Sequence, residues 1–230
     1  MHTRYCVRNK TLIVDLGAKR RILSSAPRGG GLTHARFILN HQVVANPRAD
    51  SSGPTRRWGD PARDLGKLAH LLDVDRHCVG LMTAVSLRQL VVIRETDHDL
   101  WVEGFLTVGV TNAVRAGERI CEPQRAPGTI NIILVTNASL TLSAMVGAVQ
   151  VATEAKTGAL LAAKVPSATG KGAATGTGTD AVVLACGEGP AIRYSGTHTR
   201  IGSMMARVVS RGVAKGLQRS VRWQSKVAPS

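Results

Sequence analysis

The central segment of the chain opens with Thr129-Ile130-Asn131-Ile132-Ile133-Leu134-Val135-Thr136, a run of β-branched and apolar residues. A run of this length and composition predicts a buried strand. Thr141 follows as a favourable N-cap for the Ala-rich segment Leu142 to Lys164, whose apolar residues recur at helical spacing. A buried strand followed by a long helix predicts a sheet with helices packed on its outside.

A threonine- and glycine-rich loop leads into the next predicted strand. The loop is Ala174-Thr175-Gly176-Thr177-Gly178-Thr179-Asp180, and the strand runs from Ala181 to Cys186. Gly187 to Pro190 has the composition of a turn, so the residues from Ala191 to Ser195 can return as an antiparallel strand. Pairing Cys186 with Ala191 would place Asp180 opposite Thr197 and beside His198, and a one-residue slip would keep both near one edge of the sheet.

His198 precedes a second amphipathic helix, which Thr199 caps. Unpaired N–H groups and the positive end of the helix dipole gather at such a position. Asp180 and His198 are therefore predicted to form an acid–base pair. The alternative is that Asp180 binds the backbone N–H groups of its own loop while His198 only precedes the helix. Their predicted adjacency favours the functional interpretation.

The whole chain predicts an α+β protein of mixed α/β type. We expect one domain over residues 1–230, with a largely antiparallel or mixed sheet and two long helices packed outside it, or stacked sheets in the order α-β-β-α. A helix with proline in its first turn is predicted from Pro61 to Leu72, and a hairpin from Leu90–Arg94 and Leu100–Thr111. A turn at Lys19-Arg20-Arg21 is predicted to end the strand Thr11–Leu16.

Composition limits the class of protein. The 230 residues contain no apolar run near the ~20 residues of a membrane span and no secretory leader, which predicts a cytoplasmic protein. The net charge of +15 suggests nucleic-acid binding as an alternative function, but aromatic residues make up only 3% of the chain. A solvated basic face is therefore the favoured interpretation, and specific nucleic-acid binding is not expected. The four cysteines are far apart and predict reduced, mostly buried thiols, with a catalytic Cys186–His198 pair as the lesser alternative.

Several short stretches form an ordered series along the chain. The first are Leu23-Ser24-Ser25-Ala26-Pro27, Gly29-Gly30-Gly31-Leu32, Asn40-His41-Gln42-Val43 and Val79 to Ala84. The later ones are Val110 to Ala113, Arg115 to Gly117, Gly128 to Leu134, Ala152 to Thr157, Ala174 to Asp180 and Gly196 to Thr199 with Ile201-Gly202. Together these stretches resemble the adenosylcobinamide amidohydrolase family, and they occur in that family's order over about residues 20 to 217. The basic tails at both ends fall outside this family-like core.

The resemblance implies hydrolysis of the amide that joins aminopropanol to the corrin ring's propionate side chain, giving adenosylcobyric acid and 1-aminopropan-2-ol. The corrinoid would be the substrate, and no cofactor or metal is predicted. The chemistry needs an acid–base group, oxyanion donors and an activated water or nucleophile. The predicted catalytic residues are Asp180, His198, Glu154 and Thr179. The predicted substrate-binding residues are Ser24, Gly30, Gly31, Asn40, Asn112, Asn131, Thr175, Thr177 and Thr197.

The sequence is compatible with several alternatives. Direct attack by water is favoured over a covalent route through Thr177 or Thr179, because a threonine hydroxyl needs an adjacent base. Glu154 can be a solvated helix residue. The alternative functions are a basic nucleic-acid-binding protein, or a module that binds a corrinoid or a phosphate through the Thr/Gly loop without catalysis. A homo-oligomer is an open option.

Overall fold

The computed structural model describes residues 3–43, 59–75, 77–119, 128–169 and 172–227, with side chains to residue 220. These residues form three α-helices, α1 Pro61–Leu71, α2 Leu142–Ala162 and α3 Arg200–Val227. The first six strands are β1 Arg4–Arg8, β2 Thr11–Ser24, β3 Gly31–Gln42, β4 Cys78–Thr83, β5 Val91–Asp97 and β6 Leu100–Val108. The others are β7 Ala113–Val114, β8 Ile130–Thr136, β9 Ser139–Leu140, β10 Gly176–Thr177, β11 Ala181–Ala185 and β12 Ala191–Ile192.

The predicted buried strand is β8, and all seven of its residues are buried. It pairs in parallel with β11 and antiparallel with β6, inside a large mixed sheet of order β4-β3-β2-β11-β8-β6-β5, with β1 added on β2. Each fully buried Ile or Leu of such a strand stabilises the fold by roughly 1.5–3 kcal/mol. The predicted α+β class is confirmed, and Thr141 caps α2 by accepting the Ala144 N–H.

The sheet has helices on its outer faces and a second core inside. Ile132 and Leu134 of β8 pack with α2 and α3, whereas Ile133 and Val135 point to the other face, as the two-residue period of a strand requires. On that inner face they meet apolar residues of β2, β3 and β4, and α1 covers the outer face of β3 and β4. The layers therefore follow the order α-β-β-α.

One sheet supplies both inner layers because it folds over on itself. Asn40 of β3 contacts Thr107 of β6, although three strands separate β3 from β6 in the sheet order. The bend accompanies an irregularity of β2 between Asp15 and Arg20. The predicted turn at Lys19-Arg20-Arg21 is therefore wrong: the chain continues as one strand through that bulge.

The predicted hairpin after Cys186 is also wrong. β11 already has β8 on one side and β2 on the other, so it has no free edge for a returning strand. The chain after Cys186 crosses the end of β8, where the Gly187 N–H donates to the Ala138 carbonyl, and β12 pairs in parallel with β9.

Candidate functional site

Asp180 lies where the Thr/Gly loop enters β11, and only 12% of its side chain is exposed. Its Oδ1 accepts hydrogen bonds from the Ile130 N–H at 2.9 Å and from the Thr177 hydroxyl at 2.5 Å. Its Oδ2 accepts from the Thr177 N–H at 3.0 Å and from Lys156 Nζ at 2.5 Å. A carboxylate has about four acceptor positions, so these bonds occupy all of them. Asp180 does bind its own loop, as the alternative interpretation of the sequence held.

Lys156 is the charged residue at this site that the sequence interpretation missed. It lies on α2 one turn after Ala152 and one turn before Leu160, and all three are buried. An isolated buried ammonium group is strongly unfavourable, and the ion pair with Asp180 offsets that cost. The spacing of four residues from Ala152 and Leu160 is visible in the sequence, but an alanine-rich helix does not show which of its stripes is buried.

Gly176 makes room for this ion pair. A Cβ at that position would lie 2.6 Å from Asp180 Oδ2 and 2.8 Å from Lys156 Nζ. Both distances are below 3.0 Å, so a Cβ at this position would force the end of the Asp180 or Lys156 side chain to shift. Ammonium, carboxylate and the hydroxyl of Thr177 therefore meet against the backbone of the loop, and we refer to Lys156, Thr177 and Asp180 as the Asp180 cluster.

The other threonines hold the loop in place. The Thr175 Oγ1 accepts the Ala116 N–H at 2.8 Å, which ties the loop to the segment after β7. Thr179 is exposed, and its hydroxyl donates to the Gly128 carbonyl at 3.2 Å. The Thr129 hydroxyl donates back to the Thr179 carbonyl at 2.9 Å. These contacts fix the loop against the start of β8.

Asn112 reaches the same end of β8. Its Oδ1 is buried, and no described residue donates a hydrogen bond to it. A Cβ at Gly128 would lie 2.5 Å from this oxygen, so Asn112 sits against the residue whose carbonyl Thr179 binds. The structure thus brings Asn112 to the same end of the sheet as Asp180.

Asn40 and Asn131 bind each other between the two inner layers, and both are 1% exposed. The Asn131 amide donates to Asn40 Oδ1 at 3.0 Å and to the Met82 carbonyl at 2.8 Å, and the Asn40 amide donates to Thr107 Oγ1 at 3.1 Å. Buried amides that satisfy one another stabilise a specific packing arrangement. In this conformation their polar atoms face each other and not solvent.

Ser24 and the glycine loop lie on the other side of β11. Ser24 is 8% exposed, and its neighbour Ser25 exchanges two hydrogen bonds with Val182 of β11, at 3.0 and 3.1 Å. Gly31 pairs with Ser24 at the start of β3, and Gly30 precedes it at the surface. Ser24 pairs with Val183 of β11, the strand that follows Asp180, whereas β2 separates Gly31 from β11. No hydrogen bond joins these described residues to the Asp180 cluster.

His198 and Thr197 lie at the opposite end of the sheet. Both are exposed, and Thr199 caps α3 by accepting the Gly202 N–H at 3.1 Å. The Asp180 carboxylate binds the first residue of β8. Arg200, at the start of α3, instead binds Asp99, whose carbonyl accepts from Asn137, the residue after the end of β8. The seven residues of β8 separate these two positions by about 20 Å. The predicted Asp180–His198 pair is therefore wrong, because it depended on a hairpin that does not form.

Glu154 does not join the cluster either. It is exposed on α2, two residues before Lys156. Residues two apart on a helix point in nearly opposite directions, so the helix turns Glu154 to the surface when it turns Lys156 inward. This matches the solvated alternative.

Two grooves flank Tyr194, which is 74% exposed, at the His198 end of the sheet. One, of about 370 Å³, lies against the start of α3, and the other, of about 450 Å³, lies against the start of α2. Neither groove touches the Asp180 cluster. Cys186 near this end is 2% exposed, and burial raises the pKa of its thiol to about 11, which disfavours the catalytic thiolate considered from the sequence.

The basic face of α3 forms ion pairs. Arg207 and Arg211 both bind Glu95 at 2.8 and 3.0 Å, and Arg200 binds Asp97 and Asp99 in the β5–β6 turn. Part of the positive charge on this helix is therefore balanced by the hairpin beneath it. Within the described ranges, no three His, Cys, Asp or Glu side chains form a group suited to hold a metal ion, and no helix is long and apolar enough to cross a membrane.

The fold and this cluster define an α+β protein whose hydroxyl, carboxylate and ammonium groups suit acyl transfer or hydrolysis. Residues 1–225 match the family model described as adenosylcobinamide amidohydrolase, and the chain belongs to that family. The predicted family and amidohydrolase class are thereby confirmed.

The chain also aligns with individual proteins over most of its length. The chain is 34% identical over 226 residues to the adenosylcobinamide amidohydrolase of Methanosarcina mazei, covering 93% of this chain and 97% of the relative. It is 30% identical over 232 residues to an uncharacterized protein of Methanocaldococcus jannaschii, covering 90% and 86%. A crystal structure of the Pyrococcus horikoshii PH0078 protein is similar at 12% identity and a TM-score of 0.45, covering 95% of this chain and 79% of that one.

Proposed function

We propose that the protein hydrolyses the amide of adenosylcobinamide, releasing adenosylcobyric acid and 1-aminopropan-2-ol. The observation that carries this proposal is the family match over residues 1–225. The name of the Methanosarcina mazei relative, which aligns along nearly its whole length, supports the same substrate. The corrinoid is the substrate in this proposal, and the reaction returns an incomplete corrinoid to cobalamin synthesis.

We place the reaction at the Asp180 end of the sheet. Amide hydrolysis needs a proton acceptor, donors for the oxyanion and a nucleophile. Asp180 and the hydroxyl of Thr177 meet there at 2.5 Å beside an exposed turn. Of the residues predicted from the sequence, Asn112, Thr175 and Thr179 border the same loop. The His198 end offers grooves and an exposed imidazole, but the carboxylate is about 20 Å away.

Within this site the predicted residues take separate roles. Thr175 and Thr179 hold the loop, and we assign Asn112, which lies at the same end of β8, as a donor to the substrate carbonyl through its amide nitrogen. Asn40 and Asn131 support the site from the core. We assign the exposed Gly30 and Gly31, beside Ser24 at the end of β2, as a surface for the macrocycle.

The test is incubation of the purified protein with adenosylcobinamide, followed by separation of the corrinoids and assay of the released amino alcohol. We expect equal amounts of adenosylcobyric acid and 1-aminopropan-2-ol. The matched control is an Asp180→Asn variant, which should show no turnover. Binding of the corrinoid without any product would instead support the non-catalytic module. Absence of both binding and product would contradict the proposal.

A further inference from the structure

The geometry points to Thr177 as a nucleophile that forms an acyl-enzyme, with Asp180 as its base and Lys156 as the charge partner of Asp180. This assignment rests on the proposed function, because it requires an amide substrate. It replaces the direct attack by water that the sequence alone favoured.

The hydrogen bonds of Asp180 decide which group it can deprotonate. All of its acceptor positions are occupied, by the Ile130 N–H, the Thr177 N–H and hydroxyl, and Lys156 Nζ. A water molecule could use this carboxylate as its base only by displacing one of these donors. The one donor that can release a proton to become a reactive oxygen is the Thr177 hydroxyl. The saturated carboxylate therefore acts on Thr177 rather than on water.

The hydroxyl oxygen of Thr177 has the surroundings of a nucleophile. Its proton points to Asp180 Oδ1 at 2.5 Å, because a carboxylate can only accept. Within the part of the chain that the structure describes, no group donates a hydrogen bond to this oxygen, and the residue is half-buried. Its lone pairs are thus open to an electrophile while its proton is held by a base. This is the arrangement that activates a hydroxyl nucleophile.

The neighbouring threonines lack this combination. The Thr175 Oγ1 accepts the Ala116 N–H, and the Thr179 hydroxyl donates to the Gly128 carbonyl, which cannot take up a proton. Gly178 and Thr179 directly follow the nucleophile and are exposed. Their backbone N–H groups can stabilise the oxyanion, as the residue after the nucleophile does in other hydrolases.

The proposed reaction balances without any further reagent. Thr177 Oγ1 bonds to the amide carbon while its proton moves to Asp180. The C–N bond then breaks, and the proton passes from Asp180 to the leaving nitrogen of 1-aminopropan-2-ol. Water attacks the resulting ester and gives its proton to Asp180, the C–Oγ1 bond breaks, and Asp180 returns the proton to Thr177. Lys156 keeps its charge throughout and balances the carboxylate.

The kinetic test uses three variants of the full chain with adenosylcobinamide as substrate, and a fourth variant, Thr177→Cys, serves to trap the intermediate. Thr177→Val removes the hydroxyl but keeps the shape and the β-branching, and Thr177→Ser restores a hydroxyl. Thr157→Val is the matched control, since the Thr157 hydroxyl donates to the Thr175 carbonyl at 3.1 Å and holds the same loop from α2. Wild-type turnover is measured first, and its absence would overturn the proposed function and this assignment with it.

We expect kcat to fall by about 10³-fold or more in Thr177→Val, within about 30-fold of wild type in Thr177→Ser, and within about 3-fold in Thr157→Val. Acid-quenched Thr177→Cys enzyme, examined by peptide mass spectrometry, should carry the adenosylcobyric acyl group as a thioester at position 177. A Thr177→Val variant within tenfold of wild type would overturn the assignment while leaving the proposed function intact. The assignment of Thr177 would also be overturned if Thr177→Ser were as inactive as Thr177→Val, or if the acyl group were found on another residue.

Discussion

The two ends of the central sheet have similar polar residue types in their sequences, but they differ in whether those residues bond to other elements of the fold. At one end the Asp180 carboxylate collects Lys156, Thr177 and the start of β8 into one network. At the other end His198 and Thr197 are exposed, and Thr199 serves only the start of α3. A short polar motif therefore indicates a site only when the fold gives it a partner from another element.

The difference also has an energetic side. The side chains of Lys156 and Asp180 are 10% and 12% exposed, and a buried ion pair gives little net stability compared with apolar residues of similar size. A helix cap is stabilising in itself, by about 1 kcal/mol. The Asp180 end thus keeps an ion pair that apolar residues of similar size could replace with little loss of stability, whereas the His198 end has a structural explanation for its threonine.

The largest effect should come from removing the carboxylate. Asp180→Asn leaves Thr177 without a base, so kcat should fall by about 10³-fold or more, measured as release of 1-aminopropan-2-ol from adenosylcobinamide. His198→Asn should stay within about 3-fold of wild type, because the imidazole lies about 20 Å from the cluster. An equal loss in both variants, with both folded, would show that the two ends cooperate and would contradict the site proposed here.

Lys156→Met should produce the next largest effect, this time on stability. It leaves a largely buried carboxylate without a countercharge, so the free energy of unfolding in urea should fall by about 3–5 kcal/mol. The control is Lys67→Met, because Lys67 pairs with Asp64 at 3.6 Å on the surface of α1 with 64% of its side chain exposed. That change should be below about 0.5 kcal/mol. Equal losses in the two variants would mean that burial of the Asp180 pair has no energetic consequence.

Two glycine substitutions should distinguish the two ends of the sheet, because one should lower kcat and stability and the other stability alone. In Gly176→Ala the new methyl group meets Asp180 and Lys156, so kcat should fall by about 10- to 100-fold with a stability loss of about 1–2 kcal/mol. In Gly202→Ala the methyl group would lie 2.2 Å from the carbonyl oxygens of Ser195 and Gly196. That variant should lose about 1–3 kcal/mol in stability while its folded fraction keeps wild-type kcat. The reverse pattern would place the chemistry at the α3 end.

The smallest effect concerns His41, which hydrogen-bonds Thr11 at 2.9 Å beside the buried asparagines. Burial, together with the nearby Lys10 charge, lowers the pKa of His41 below its ordinary value of 6.5. The unfolded chain therefore binds the proton more readily, and the free energy of unfolding should fall as pH drops below about 6.5. His41→Gln should weaken this dependence in denaturation at pH 7.5 and 5.5. Identical slopes for both proteins would contradict the assignment.

Much of the fold follows from local pattern. The β-branched run of β8, the cap at Thr141, the proline-led α1 and the β5–β6 hairpin were all predictable, because each depends on residues close in sequence. The fold-over of the sheet at β2 was not, because it requires β3 to meet β6 across a core that no local pattern describes. The pairing of β12 with β9 was missed for the same reason.

The site was predictable in part. The Thr/Gly loop and Asp180 were found from their composition, and Asn112 and Thr179 lie at the same end. His198 was placed wrongly because a strand with both edges occupied was treated as a hairpin partner. Lys156 was missed because a lysine in an alanine-rich helix looks like a surface residue until the fold shows which stripe is buried.

The most direct measurement is a crystal structure of the Thr177→Val variant with adenosylcobinamide bound. We predict that the macrocycle lies over the loop from Thr175 to Asp180, with the carbonyl carbon of the aminopropanol amide within about 4 Å of the side chain at position 177. A corrinoid seated instead in the grooves beside Tyr194, with its amide facing His198, would contradict it.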